Sequence, residues 1–199
     1  EWSVDPLVIA KWQRGSNSPT DFSSCLPSVM DFPIQTTLTE ALTSEENWGT
    51  GFVNLYETLS FDYAYSDPHN LVIFADNHDM DRFYRQVNQD YDLFKMGMTY
   101  IMTMRGIPQF YYGTEILMSN EKHHDHGQIR EDFPGGWSSD TKNAFTGNGL
   151  SEKKKNAKAF VKKLVNWRKN NPVIHNGKLM HYAPKHEGFY VYFRYNENK

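Results

Sequence analysis

Five consecutive apolar residues, Leu71-Val72-Ile73-Phe74-Ala75, run straight into four polar ones, Asp76-Asn77-His78-Asp79. Unbroken apolar runs of this kind suit parallel strands, which are covered on both faces. The segments around it keep the same rhythm. Ser28 to Phe32 is a short, mostly apolar run closed by Pro33 and suits a buried strand. Gly51 to Leu59 reads as a helix, with Phe52, Leu55, Tyr56 and Leu59 on one face. Leu93, Gly97, Tyr100, Ile101 and Met104 repeat at helical spacing; Asn88 or Asp90 can cap that helix, and Gly106 followed by Pro108 stops it. Ile107 to Tyr112 is a further buried strand. Ser151 caps a second clear helix to about Lys169, with Ala157, Phe160, Val161, Leu164 and Trp167 inward and its lysines in solvent. Alternating strands and helices define a parallel α/β sheet. Past Pro172 the pattern changes. Leu179 to Tyr182 and Phe189 to Tyr195, with turns at Asn176-Gly177 and Glu187-Gly188, read as β-hairpin material.

Composition removes several function classes. A net charge of −3 gives no electrostatic footprint for nucleic acid. No stretch of about 18 apolar residues is present, so no membrane-spanning helix is expected. The single Cys25 cannot form an internal disulfide. Aromatic residues make up 15% of the chain, which serves a rich core or a surface that stacks on the apolar faces of sugars. The chain opens at Glu1 without Met or a signal peptide and is read as starting within a longer protein, which leaves the compartment open between periplasm or exterior and cytoplasm.

The chemistry is concentrated where strand gives way to loop, because the carboxyl ends of parallel barrel strands hold active sites. Asp76 and Asn77 serve equally well as caps for the next helix. His78 beside Asp79 is harder to explain by capping, which needs no imidazole next to a second carboxylate. Phe74-Ala75-Asp76-Asn77-His78-Asp79 resembles a conserved region of the α-amylase family, found at the end of its seventh barrel strand. Ile107-Pro-Gln-Phe-Tyr-Tyr-Gly-Thr-Glu115 is similar to that family's strand-eight segment. Arg130-Glu-Asp-Phe-Pro-Gly-Gly-Trp137 resembles the following loop in the cyclomaltodextrinase and neopullulanase branch. The three stand in the family's order.

The resemblance implies a (β/α)8 barrel acting on α-glucans with retention of configuration. Such chemistry needs a nucleophilic carboxylate and an acid/base carboxyl about 5–5.5 Å apart. A third carboxylate grips sugar hydroxyls more strongly in the transition state, a differential-binding role. By motif position Asp79 is that third group, and His78 donates a hydrogen bond to the same sugar. The family's nucleophile motif, Gly-x-Arg-x-Asp, has no match here. Its acid/base motif, Gly-Glu-x-Trp, aligns Glu1-Trp2 so that the catalytic Glu falls one residue upstream; Glu1 takes that role only if one residue is deleted.

Arg130 follows His126 by four residues, and at this place the family uses an Arg to hold a sugar; the competing assignment is a surface pair with Glu131 or Asp132. Arg82 is expected in solvent. Tyr111 and Tyr112 end a strand, with barrel packing as their first role and a sugar contact as the second. Trp137 is a stacking platform or a loop anchor. The cluster His123, His124, Asp125 and His126 carries metal-ligand residue types, but consecutive histidines in a loop rarely converge on one ion, so no metal is assigned. The long polar stretch from Ser119 to Leu150 exceeds the usual connection and is expected to be functional. The lysine-rich helix is a solvated barrel face.

The sequence therefore predicts the second half of a TIM (β/α)8 barrel over 1–171, from the end of strand five to helix eight, followed over 172–199 by the start of an antiparallel all-β domain. It predicts part of a retaining hydrolase or transglycosylase for α-1,4-glucans such as cyclodextrin, maltodextrin, pullulan and starch, inactive as this chain alone. Asp79 is the transition-state stabiliser, and His78, Arg130 and Tyr112 bind substrate. No cofactor is needed, and family calcium sites use segments preceding this one. The partner is an α-glucan oligosaccharide, with no nucleic acid, no membrane and an open oligomeric state. The alternatives are a non-catalytic glucan-binding protein on the same fold, or a relative of the trehalose synthases and isomerases.

Overall fold

The computed structural model describes residues 2–16, 22–185 and 188–197. Glu1 and Glu187 lie outside the described residues. The elements run α1 (Pro6–Ala10), α2 (Phe32–Thr43), α3 (Phe52–Ser60), β1 (Val72–Phe74), α4 (Phe83–Gln86), α5 (Tyr91–Thr103), β2 (Ile107–Gln109), α6 (His126–Ile129), α7 (Glu152–Lys169), α8 (Pro172–Asn176), β3 (Lys178–His181) and β4 (Tyr192–Tyr195). Single 3-10 turns occupy Phe61–Ala64, Pro68–Asn70 and Thr114–Ile116.

The apolar run forms the centre of a parallel arrangement. β1 pairs with β2 in parallel, Val72 opposite Ile107 and Phe74 opposite Gln109, and Met30 bridges in parallel to Val72 on the other side. Leu71, Ile73 and Phe74 are fully buried, as a strand covered on both faces must be. The expected strand over 28–32 shrinks to that one bridge. Pro33 does not close a strand; it sits in the first turn of α2, where its missing N–H costs nothing, and Asp31 caps the helix by accepting from the Ile34 N–H at 3.1 Å. The second strand also stops early, at Gln109 instead of Tyr112.

The helices cover the sheet through one continuous core. Ile34, Leu38 and Leu42 of α2, Leu55 and Leu59 of α3, Phe94, Met98 and Ile101 of α5, and Ala157 and Val161 of α7 belong to it. Asp90 caps α5, accepting from the N–H groups of Asp92 and Leu93. Gly97 is required by packing: a Cβ there would lie 2.3 Å from the Phe83 ring. Gly106, at φ 100°, lets the chain turn into β2, and a Cβ there would lie 2.8 Å from the Leu71 carbonyl oxygen.

The inward face of α7 departs from the sequence pattern at its end. Trp167 is exposed, and Arg168 is buried instead. Its guanidinium donates to the carbonyls of Met102, Met104 and Gly106 at 2.6–3.0 Å, satisfying carbonyls at the end of α5 and in the turn that follows it. Lys158 likewise turns inward to the carbonyls of Ala144 and Phe145.

Asn176-Gly177 ends α8 and does not form a hairpin turn. The antiparallel pair is β3 with β4, Lys178 opposite Tyr195 and His181 opposite Tyr192. Its inner face lies on the helices, with Tyr192 against Tyr100 at 6.0 Å and His181 against Tyr56 at 4.8 Å. Among the described residues no helix is long and apolar enough to cross a membrane.

Candidate active site

Two strand ends and one loop build the site. Directly after β1 the Asn77 side chain accepts the Asp79 N–H at 2.8 Å, an Asx turn that swings the chain out of the sheet. Asp76 stays below, fully buried. Its carboxylate accepts the Phe83 N–H at 2.8 Å and the Thr114 hydroxyl at 2.9 and 3.0 Å, tying the start of α4 to the 3-10 turn after β2. Burial pushes the Asp76 carboxyl up to about 6, against the opposing pull of those hydrogen bonds and of Arg82. Asp76 and Asn77 therefore shape the loop.

Asp79 emerges at the carboxyl end of β1 with 42% of its side chain exposed. Arg130 reaches it from the C-cap of α6: Nη2 lies 2.8 Å from Asp79 Oδ1, Nε donates to the His78 carbonyl at 3.0 Å, and Nη2 is 3.2 Å from His126 Nδ1. His78 Nε2 stands 3.2 Å from the other Asp79 oxygen. Both carboxylate oxygens thus have a polar neighbour, yet His78 and Arg130 are themselves largely exposed. An ion pair this open in water is weak, so another polar group can take the place of either partner at little cost. Arg130 pairs with Asp79, not with its chain neighbours Glu131 or Asp132.

Tyr111 and Tyr112 follow β2 and fasten the Arg130 loop to it. Tyr112 donates its hydroxyl to the Glu131 carbonyl at 2.9 Å, and Tyr111 to that of Ile129 at 3.4 Å. Their rings meet at 4.6 Å. Tyr112 remains partly exposed. Burial and the hydrogen bond with Tyr112 push the Tyr111 hydroxyl up to about 12.

Arg82 overturns its expected place in solvent. It is wholly buried, its guanidinium 4.1 and 4.8 Å from the ring centres of Tyr111 and Tyr112, and it donates to the Tyr112 carbonyl. Nothing in the local sequence pairs Arg82 with two tyrosines some thirty residues further on. The histidines of the loop divide. His126 faces Arg130, whereas His123 and His124 face Asp81. Trp137 is exposed, with its indole N–H donating to Asp132 at 2.8 Å.

A half-exposed carboxylate and an imidazole at the carboxyl end of a buried parallel strand, met by a guanidinium from a later loop, stand where an α/β barrel protein carries its functional groups. A family model for the alpha amylase catalytic domain matches residues 23–177, and the chain belongs to the alpha-amylase family. It is 29% identical over 153 residues to the cyclomaltodextrin glucanotransferase of Geobacillus stearothermophilus, an alignment covering 75% of this chain and 18% of that protein. It is 33% identical over 92 residues to the corresponding enzyme of Niallia circulans, covering 46% and 12%. Among solved structures, the alpha-amylase of Geobacillus thermoleovorans, complexed with acarbose, superposes with a TM-score of 0.72 at 24% identity, covering 100% of this chain and 38% of that one. CldA, a cyclomaltodextrin glucanotransferase with three domains, superposes with a TM-score of 0.63 at 27% identity, covering 90% and 32%. The chain spans about a fifth of the length of the curated relatives it matches. The strands and helices within residues 23–177 are part of a TIM barrel.

Proposed function

We propose that the chain contributes the transition-state-binding face of a retaining glycoside hydrolase or transglycosylase acting on α-1,4-glucans. The observation that carries the proposal is the convergence of Asp79, His78 and Arg130, from segments some fifty residues apart, on one solvent-open spot at the carboxyl end of β1. In this reading the Asp79 carboxylate accepts two hydroxyl groups of the glucose ring bound at the cleavage point. As positive charge develops on that ring, the carboxylate holds it more tightly than in the ground state. His78 donates to the same sugar from its imidazole. Arg130 leaves Asp79 when sugar arrives and turns to a hydroxyl further along the glucan. Tyr112 lines the site from the segment that follows β2. The solved relatives bound to acarbose and to maltotriose support an oligosaccharide as the ligand.

The nucleophile and the acid/base belong to motifs that this sequence lacks, so the chain alone does not turn over glucan. The Phe133-Pro-Gly-Gly-Trp137 loop favours the cyclomaltodextrinase and neopullulanase branch, and the cyclomaltodextrin glucanotransferase relatives keep transfer beside hydrolysis. The β3–β4 hairpin is assigned as the opening of a C-terminal β domain from residue 172. Assays of the isolated chain on cyclodextrin, pullulan and starch test the first point. Release no greater than a buffer blank is expected. Turnover abolished by Asp79→Ala overturns the assignment of the missing carboxylates. In an enzyme that includes those motifs, Asp79→Asn is expected to lower kcat by about 10³-fold or more with little change in KM. An unchanged kcat overturns the role given to Asp79 and favours a glucan-binding protein.

A further inference from the structure

We propose that Asp81, His123 and His124 form a binding site for a divalent transition-metal ion, zinc in the first instance. The three side chains offer ligand atoms that all lie within 4.8 Å of one another. Asp81 Oδ2 meets His123 Nδ1, and Asp81 Oδ1 is 3.9 Å from His124 Nδ1. The two imidazole ring centres lie 3.8 Å apart with their planes tilted by 36°, so the two rings border the same space beside Asp81. Two nitrogens and one carboxylate oxygen form a donor set of borderline softness, which selects zinc and its neighbours over calcium or magnesium.

The site is built on its protein side and open on the other. Asp81 is almost wholly buried, and Asn120 Nδ2 donates to its Oδ1 at 2.6 Å. The same oxygen accepts the His124 N–H at 2.8 Å. That contact holds His124 in the left-handed region, φ 53°, an uncommon place for a residue other than glycine and one that occurs at ligand clamps. Gln128 accepts the N–H groups of Glu121 and Lys122, which pins the turn leading into the histidines. Asn120, by contrast, touches a ligand directly, and a ligating carboxylate that is itself hydrogen-bonded is a usual feature of metal sites. Both histidines are exposed, which leaves an entry path and room for water as further ligands.

Two features weigh against the ion, and neither blocks it. Arg85 Nε lies 3.6 Å from Asp81 Oδ2. Its Nη1 already donates to the carbonyls of Asn120 and Glu121, so the guanidinium keeps its partners when Oδ2 turns to a metal. The proton on His123 Nδ1 that faces Asp81 must also leave. In a neutral ring it passes through water to Nε2, and no net proton is gained or lost. The ion then joins the segment after β1 to the loop that carries Arg130. This proposal does not depend on the glucan reading.

The test is titration of the metal-free chain with Co²⁺ followed by Zn²⁺, recording visible absorption and, by calorimetry, stoichiometry. One ion per chain is expected, with cobalt d–d bands that zinc abolishes. The double variant His123→Gln, His124→Gln is expected to weaken binding by about tenfold or more. His175→Gln, which removes a histidine elsewhere, is expected to leave it unchanged. Asp81→Asn gives a third arm if it folds; the double variant alone decides if it does not. Binding of equal strength in wild type and double variant, or no ligand-field bands at millimolar cobalt, overturns the site.

Discussion

Two arginines meet aspartates at opposite ends of the same parallel strand pair, and the molecule uses them differently. Arg105, just before β2, lies between Asp31 and Asp62: Nη1 is 2.6 Å from Asp31, and Nε donates to Asp62 at 2.8 Å. Arg105 and Asp31 are both almost fully buried. Burial alone would lower the Arg105 pKa, but the two carboxylates outweigh it and hold it above its ordinary value. Arg130, reaching the far end, meets Asp79 at 2.8 Å with both side chains nearly half exposed. Geometry is similar and solvent is not. Removing Arg105 would leave the buried Asp31 carboxylate without a cation, whereas water replaces either member of the open pair. The first therefore holds the fold, and the second is free to exchange partners.

The largest effect expected from this contrast is at the closed end. Arg105→Leu leaves the buried Asp31 carboxylate unpaired beside the partly exposed Asp62 and should cost about 3–5 kcal/mol by urea denaturation. A loss below about 1 kcal/mol would break the comparison, since it would mean that water reaches the triad. Asp76 sharpens it within three residues of Asp79. Its carboxyl is raised to about 6 from 3.8, so the protonated form favours the fold. The stability it lends is fully present below pH 3.8 and is lost as pH rises through about 6, a span worth about 3 kcal/mol. Asp76→Asn should flatten that part of the stability–pH curve, measured as denaturant midpoints between pH 4 and 7.

Gly97→Ala tests the packing beneath the site. The added Cβ meets the Phe83 ring and should cost about 1–3 kcal/mol, read as a lower melting temperature. Smallest of all is the open pair: Arg130→Ala and Asp79→Asn should each shift stability by about 0.5 kcal/mol or less. A loss comparable to that of Arg105→Leu would show that Asp79 is structural.

The sequence disclosed the parts that rest on local pattern. β1 was visible because burial on both faces leaves no polar position in the strand, and α5 and α7 because amphipathic spacing and caps agree. α2 escaped notice because Pro33 is equally at home after a strand and in the first turn of a helix. Only Asp31, capping the Ile34 N–H, separates the two. Of the candidate site, Asp79 and His78 were legible from one motif. That Arg130 reaches Asp79 depends on a loop whose course is set by tyrosine-to-carbonyl hydrogen bonds, which no spacing announces. The burial of Arg82 beneath Tyr111 and Tyr112 is long-range for the same reason. So is the partnership of His123 and His124 with Asp81, some forty residues away along the chain.

The central claim is that the open end of β1 is where an α-glucan is gripped. Its most direct test is titration of the ¹⁵N-labelled chain with maltoheptaose, followed residue by residue. Saturable shifts centred on His78, Asp79, Tyr112 and Arg130, lost in Asp79→Ala, are the expected result. No shifts at these residues up to the solubility limit of the sugar, or the same shifts in Asp79→Ala, would contradict it.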